Sequence, residues 1–186
     1  MSPPKVLLAL AVLGVSAALL TGASAQVPSG GDRPAATLSP AAKLPRGDRR
    51  MLRDIAQANF AELAAARLAL QKSRNAEIRT FAQTMVDDHS AALEDLKHLA
   101  RAKSATLPDE PDLKHRSWMK TMQALEGEQF DKQYLAGAGV SDHRKTRELL
   151  QKAQADAKDP DLKALAREML PVVERHLAHA EQMALR

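Results

Sequence analysis

Four polar residues occupy positions where apolar ones are expected. Four long segments have apolar residues recurring at steps of three and four, and Glu62, His89, Asp142 and His176 each fall on one of those stripes. Carboxylates and imidazoles gathered in a dry interior can do one of two things. They can hydrogen-bond one another and fix helix register, or hold one divalent transition-metal ion, since this donor set suits Fe, Mn, Zn or Cu. His143, beside Asp142, and His179, on the stripe of His176, are further ligand candidates. Asp88 has the chemistry of a carboxylate that orients a ligating imidazole from behind. The chain has no cysteine, so thiolate sites, disulfides and a lipid-modified cysteine are excluded.

The segments that carry these residues read as helices. The first is expected from about Arg49 to Ser73, N-capped by Asp48, with Leu52, Ile55, Asn59, Glu62, Ala66 and Ala69 on one face. After a short break, Asn75 caps a second helix running to about Lys103, whose face is Ile78, Ala82, Met85, His89, Ala92, Leu96 and Leu99. Pro108 and Pro111 stop it, and a shorter amphipathic piece from Leu113 to Leu125 forms a crossover. A third long helix is expected from about Glu128 to Ala157, with Asp131, Leu135, Ala138, Asp142, Thr146, Leu149 and Ala153 inward. Gly137 and Gly139 weaken it by ~1 kcal/mol each relative to alanine, and mark a soft spot or a close backbone approach. Asp159-Pro160 starts the last helix, whose face is Leu162, Leu165, Met169, Val172, His176, His179 and Met183.

Counting residues back to each turn gives the heights. Glu62 and His89 lie ~20 Å from the first turn, and Asp142 and His176 ~25 Å from the second, in a bundle ~40 Å long. All four therefore share a middle layer, whichever way the second hairpin points. The hairpins also resemble one another: Leu70-Gln71-Lys72 and Leu150-Gln151-Lys152 precede the two turns, and through that match Glu62 corresponds to Asp142. A carboxylate-bridged two-metal centre would need glutamates where Val86 and Val173 stand, so the layer fits one ion rather than two. Asp95-x-x-His98 has ligand spacing but lies near a helix end without inward partners, and His115 reads as a surface residue of the crossover.

The remaining sequence bounds the setting. Lys5, the apolar run Val6 to Leu20 and Ala23-Ser24-Ala25 form a signal peptide over residues 1–25, too short in its apolar part to span a bilayer. Residues 26–47, rich in Pro, Gly, Ser and Ala, are expected to be a flexible leader, and residues 48–186 a single bundle domain. The expected location is the periplasm, without a lipid anchor or a membrane span. A net charge of +4 interleaved along the chain, with five aromatics, gives neither the basic patch nor the stacking platform that nucleic acid requires.

Phe81-Ala82-x-x-Met85-Val86-Asp87-Asp88-His89, Gly127-x-x-Phe130-Asp131-x-x-Tyr134, Asp142-His143 and Leu170-Pro171 with His176 and Ala180 together resemble a bacterial family of secreted helical proteins, domain of unknown function 4142. The resemblance covers roughly residues 50–182 and implies a ferritin-like fold, in agreement with the bundle read from periodicity. The expectation is thus an all-α, ferritin-like four-helix bundle of two helical hairpins with a short crossover helix. Its expected role is that of a non-catalytic envelope or stress-related protein whose polar layer binds one metal ion. The alternatives are a metal-dependent oxidase or peroxidase-like enzyme, and a structural bundle that binds an envelope protein or a second copy of itself.

Overall fold

Helix-start chemistry sets the element boundaries in the computed structural model, which describes residues 43–185. The expected signal peptide at 1–25 lies outside the described residues, as does the leader up to residue 42. Helix α1 (Arg46–Lys72) begins one turn earlier than its sequence signal, with Pro45 at the N-cap and Leu44 buried beneath it. Asp48 is therefore not the cap. Its buried carboxylate crosses the bundle instead and accepts the amides of Lys158 (2.8 Å) and Asp159 (2.7 Å). Helix α2 (Ala76–Ala102) is capped by Asn75, whose Oδ1 accepts from Glu77 N and Ile78 N. Asp112 caps α3 (Leu113–Gln123) in the crossover, and Gly127, at φ +54°, takes the left-handed turn that opens α4 (Gly127–Tyr134). The last helix, α6 (Pro160–Ala184), follows an Asp159 cap with proline in its first turn.

Between α4 and α5 (His143–Asp156) the chain does not stay α-helical. Leu135–Asp142 forms a π-helix, with i→i+5 in place of i→i+4 hydrogen bonds. Gly137 and Gly139 lie inside it, and the structure gives both a packing reason. A Cβ on Gly137 would come 2.7 Å from Cζ2 of Trp118 on α3, and one on Gly139 would come 3.0 Å from Cβ of Ala180 on α6. The wide turn is thus pressed against two neighbours at once.

End contacts fix the topology. Lys72, at the end of α1, donates to Gln123 O (2.8 Å) and pairs with Glu126, just before α4. Lys103, at the end of α2, is buried between Asp159 (2.9 Å) and Asp161 (2.6 Å) at the start of α6. The crossover therefore travels the full bundle length, so that α4 and α5 run antiparallel to α1, and α6 runs antiparallel to α2. This is the ferritin-like order of two hairpins joined by one long connection. No strand occurs among the described residues, and none of their helices is long and apolar enough to cross a membrane.

The core divides in two. One apolar cluster, holding Phe81, Met85, Phe130 and Tyr134, fills the end near the α1–α2 turn, and a second, holding Leu52, Leu96, Leu150 and Leu162, fills the other. Between them lies a layer of buried polar side chains.

Candidate metal centre

That layer is made of Asn59 and Glu62 from α1, His89 from α2, His143 and Thr146 from α5 and His176 from α6, all at 4 % exposure or less. The expected inward positions of Glu62, His89 and His176 are where the structure has them. Asp142 is not there. It sits on the outer side of the π-helix, 3.6 Å from His115 and 2.9 Å from Lys145, and His143 takes the inward place. The physical reason is the π-helix: its wider turn brings His143 inward beneath Ala138 and Gly139, with its ring on the carbonyl of Ala138 five residues back. His179 is exposed and packs edge-on against Phe81 at 5.3 Å, because the buried face of α6 runs through Val173, His176, Leu177 and Ala180.

The three buried imidazoles face one another, with ring centroids 5.4 to 5.6 Å apart. Each is held by one nitrogen. His89 Nδ1 lies 2.9 Å from Asn59 Oδ1, while Asn59 Nδ2 donates to His89 O at 2.9 Å; the second bond fixes the amide's orientation, so Nδ1 carries the proton. His143 Nδ1 lies 2.7 Å from Ala138 O, and a carbonyl can only accept, so this nitrogen also carries the proton. His176 Nε2 donates to Asp88 Oδ2 at 2.8 Å. Asp88 thus stands behind a ring of the layer, on its half-exposed edge.

The nitrogen remaining on each ring is therefore a lone pair when the ring is neutral. Burial pushes His89 well below the usual histidine range, and its two imidazole neighbours push in the same direction. Burial also lowers His176, outweighing the opposite pull of Asp88. Nε2 of His89, Nε2 of His143 and Nδ1 of His176 are buried and meet no hydrogen-bond partner. One ring nitrogen from each histidine comes within 4.8 Å of the others, a separation a metal ion can bridge. Bonds of 2.0–2.1 Å to a shared tetrahedral ion would draw them to about 3.4 Å, a matter of small ring rotations.

Glu62 stands on the opposite side of two of these rings. Its Oε2 is 3.4 Å from His89 Nδ1 and its Oε1 is 3.6 Å from His143 Nδ1, the nitrogens that carry protons. Thr146 donates to Oε1 at 2.8 Å, and Oε2 has no hydrogen-bond partner. Burial raises the Glu62 carboxyl above its usual range, against the lowering by His143 and Thr146. This geometry puts Glu62 on the side of the rings away from their unpartnered nitrogens, where a carboxylate orients an imidazole rather than standing beside its free nitrogen.

Sequence periodicity counted Asn59 and Thr146 as ordinary stripe residues and did not assign them a site role. The available signal was their polarity on an apolar face, one turn from Glu62 and from Asp142. Asp95 and His98, at the far part of α2, lie away from the layer; His98 is exposed. His115 is more than a surface residue, since Asp112 (2.8 Å) and Asp142 (3.6 Å) flank its two nitrogens.

The family model described as "Domain of unknown function (DUF4142)" matches residues 33–183. Among solved structures, a DUF305 fragment from Deinococcus radiodurans superposes with a TM-score of 0.67 at 14% identity, covering 77% of this chain and 98% of that one. The likeness is one of helical fold. No curated protein matches the sequence.

Proposed function

The chain belongs to the DUF4142 family, whose description assigns no activity, and from the layer itself we propose that the protein is an exported helical bundle that binds one divalent transition-metal ion. The ligands are His89 Nε2, His143 Nε2 and His176 Nδ1. A single observation carries this reading: three imidazoles, each pinned through one nitrogen, gather in a dry interior with the other nitrogen of each buried and unpartnered. A hydrogen-bonded core network would leave none of these atoms idle. An unsatisfied buried group costs about 1 to 3 kcal/mol, so three cost about 3 to 9 kcal/mol. That is comparable to the whole stability of a typical domain.

The donor set narrows the ion. Imidazole nitrogens without a carboxylate among them suit Zn or Cu better than Mg, Ca or Mn. Asn59, Ala138 O and Asp88 fix each tautomer, and Glu62 and Asp88 offset the positive charge. Export rests on the signal-like residues 1–25, and places the ion in the periplasm. The role is binding an ion there, in the manner of a stress-related envelope protein.

The test is thermal unfolding of chelator-stripped protein with and without Zn²⁺ or Cu²⁺. At a free metal concentration one hundred times Kd, mass action adds about 2.7 kcal/mol to the folded state. His143→Gln should lose that gain, whereas Asp142→Asn should retain it. Melting that no ion shifts would dismiss the metal in favour of a structural role.

A further inference from the structure

Resting on that metal reading, we infer that the ion reaches the three imidazoles by way of the surface pocket between α1, the start of α3 and α5, which Thr146 lines. The imidazoles are sealed, with His143 fully buried and His89 and His176 at 3 and 4 % exposure. An ion from solvent must cross a shell of side chains. The pocket holds about 230 Å³ and is lined by Asp54 and Ala58 of α1, Asp112 and His115 of the crossover, and Asp142 and Thr146 on the opposite wall.

Thr146 belongs to both compartments. It lines the pocket, and its hydroxyl donates to Oε1 of the buried Glu62. Glu62 in turn lies 3.4 and 3.6 Å from the rings of His89 and His143. Pocket, threonine, carboxylate and imidazole thus form a continuous polar line from the surface into the layer. Every other approach along the bundle axis passes through one of the two apolar clusters. Asp54, Asp112 and Asp142 offer a cation carboxylate oxygens at the mouth beside Lys145, which pairs with Asp142 at 2.9 Å, and removing any one of these negative charges leaves the mouth more positive. Glu62, its Oε2 without a hydrogen-bond partner, is the oxygen donor that a partly dehydrated ion meets next, on the Nδ1 edge of His89 and His143, from which it passes the ring edges to the lone pairs beyond. Rotation of the Thr146 hydroxyl away from Oε1 opens the second oxygen.

The test separates rate from affinity. Full-length, chelator-stripped protein is mixed with Co²⁺, uptake is followed by the visible absorption of the nitrogen-bound ion, and release is measured by chase into excess chelator. Ala58→Phe fills the pocket from α1 against Thr146 and replaces none of the three imidazoles. Uptake and release should both slow at least tenfold, with Kd unchanged. Ala136→Phe, in a groove at the α1–α2 turn end, should alter neither rate. Asp112→Asn preserves the helix cap, since asparagine caps as well as aspartate, and should slow uptake about threefold at low salt but not at high salt. Unchanged rates in a folded Ala58→Phe variant, or equal slowing by Ala136→Phe, would overturn the route. If Ala58→Phe does not fold, Asp112→Asn decides: the same uptake rate as wild type at low salt overturns it. Wild-type protein that develops no Co²⁺ absorption at any concentration would instead remove the metal reading itself, and the route with it.

Discussion

Replacing Asn59 by leucine should weaken the metal-free fold and the metal site through two separable effects. The side chain is 1 % exposed and makes two hydrogen bonds to one residue, donating to His89 O and accepting from His89 Nδ1. Leucine is similar in size and apolar, so no large cavity follows. The loss is two buried hydrogen bonds at ~1 kcal/mol each, or about 2 kcal/mol. A domain of this size melts about 3 °C lower per kcal/mol, so the stripped variant should melt about 6 °C below wild type. The second effect is on the tautomer. Without Asn59 Oδ1, the His89 proton is free to move to Nε2, the nitrogen assigned to the ion. Loss of such an orienting partner weakens metal binding typically ~10 to 100-fold, or about 1.4 to 2.7 kcal/mol. Competition titration of Zn²⁺ against a chromophoric chelator reads the affinity, and melting of the stripped protein reads the fold. A variant that melts lower yet binds Zn²⁺ as tightly as wild type would refute the assignment of His89 Nε2 as a ligand.

Three other outcomes follow from the geometry. Lys103→Met leaves Asp159 and Asp161 facing one another at the start of α6, and chemical denaturation should show a loss of about 3 kcal/mol, the lower end for breaking a buried ion pair. The neighbouring Asp142 carboxylate raises the His115 pKa; burial opposes this and Asp112 adds to it. A raised folded value means that the folded state holds the proton more tightly, so this stabilisation is complete below the unfolded value near 6.5 and is lost as pH rises through the folded value. The melting difference between wild type and His115→Gln should accordingly shrink as pH rises from about 6 to 9. Gly137→Ala must displace the Trp118 ring, and the emission of this single tryptophan should move to longer wavelength. The helix-propensity gain of ~1 kcal/mol should hold net stability within that range of wild type.

Periodicity reached three helices of the layer correctly and missed the fourth by one residue. Glu62, His89 and His176 stand on α-helical stretches, where counting by three and four keeps its phase over the whole face. Asp142 is the last residue of a π-helix, whose wider turn advances the inward position to His143. Gly137 and Gly139 marked the place, but their effect on phase depends on Trp118 and Ala180, which approach from other elements. The same limit applies at Asp48. Its local sequence reads as a helix cap, whereas its carboxylate is bound by amides more than a hundred residues away. The role of Glu62 was also beyond a linear reading. Spacing places a carboxylate beside two imidazoles, but the ring edge it faces is fixed by Asn59 and Ala138 O on the other elements.

Crystals grown with Zn²⁺, with diffraction recorded on both sides of the zinc absorption edge, test the central claim most directly. One anomalous peak is expected inside the bundle, about 2.0 to 2.1 Å from each of His89 Nε2, His143 Nε2 and His176 Nδ1, with Glu62 behind the rings and Asp142 outside. A layer empty of anomalous density at saturating zinc, or an ion bound instead by Asp142 at the surface, would contradict it.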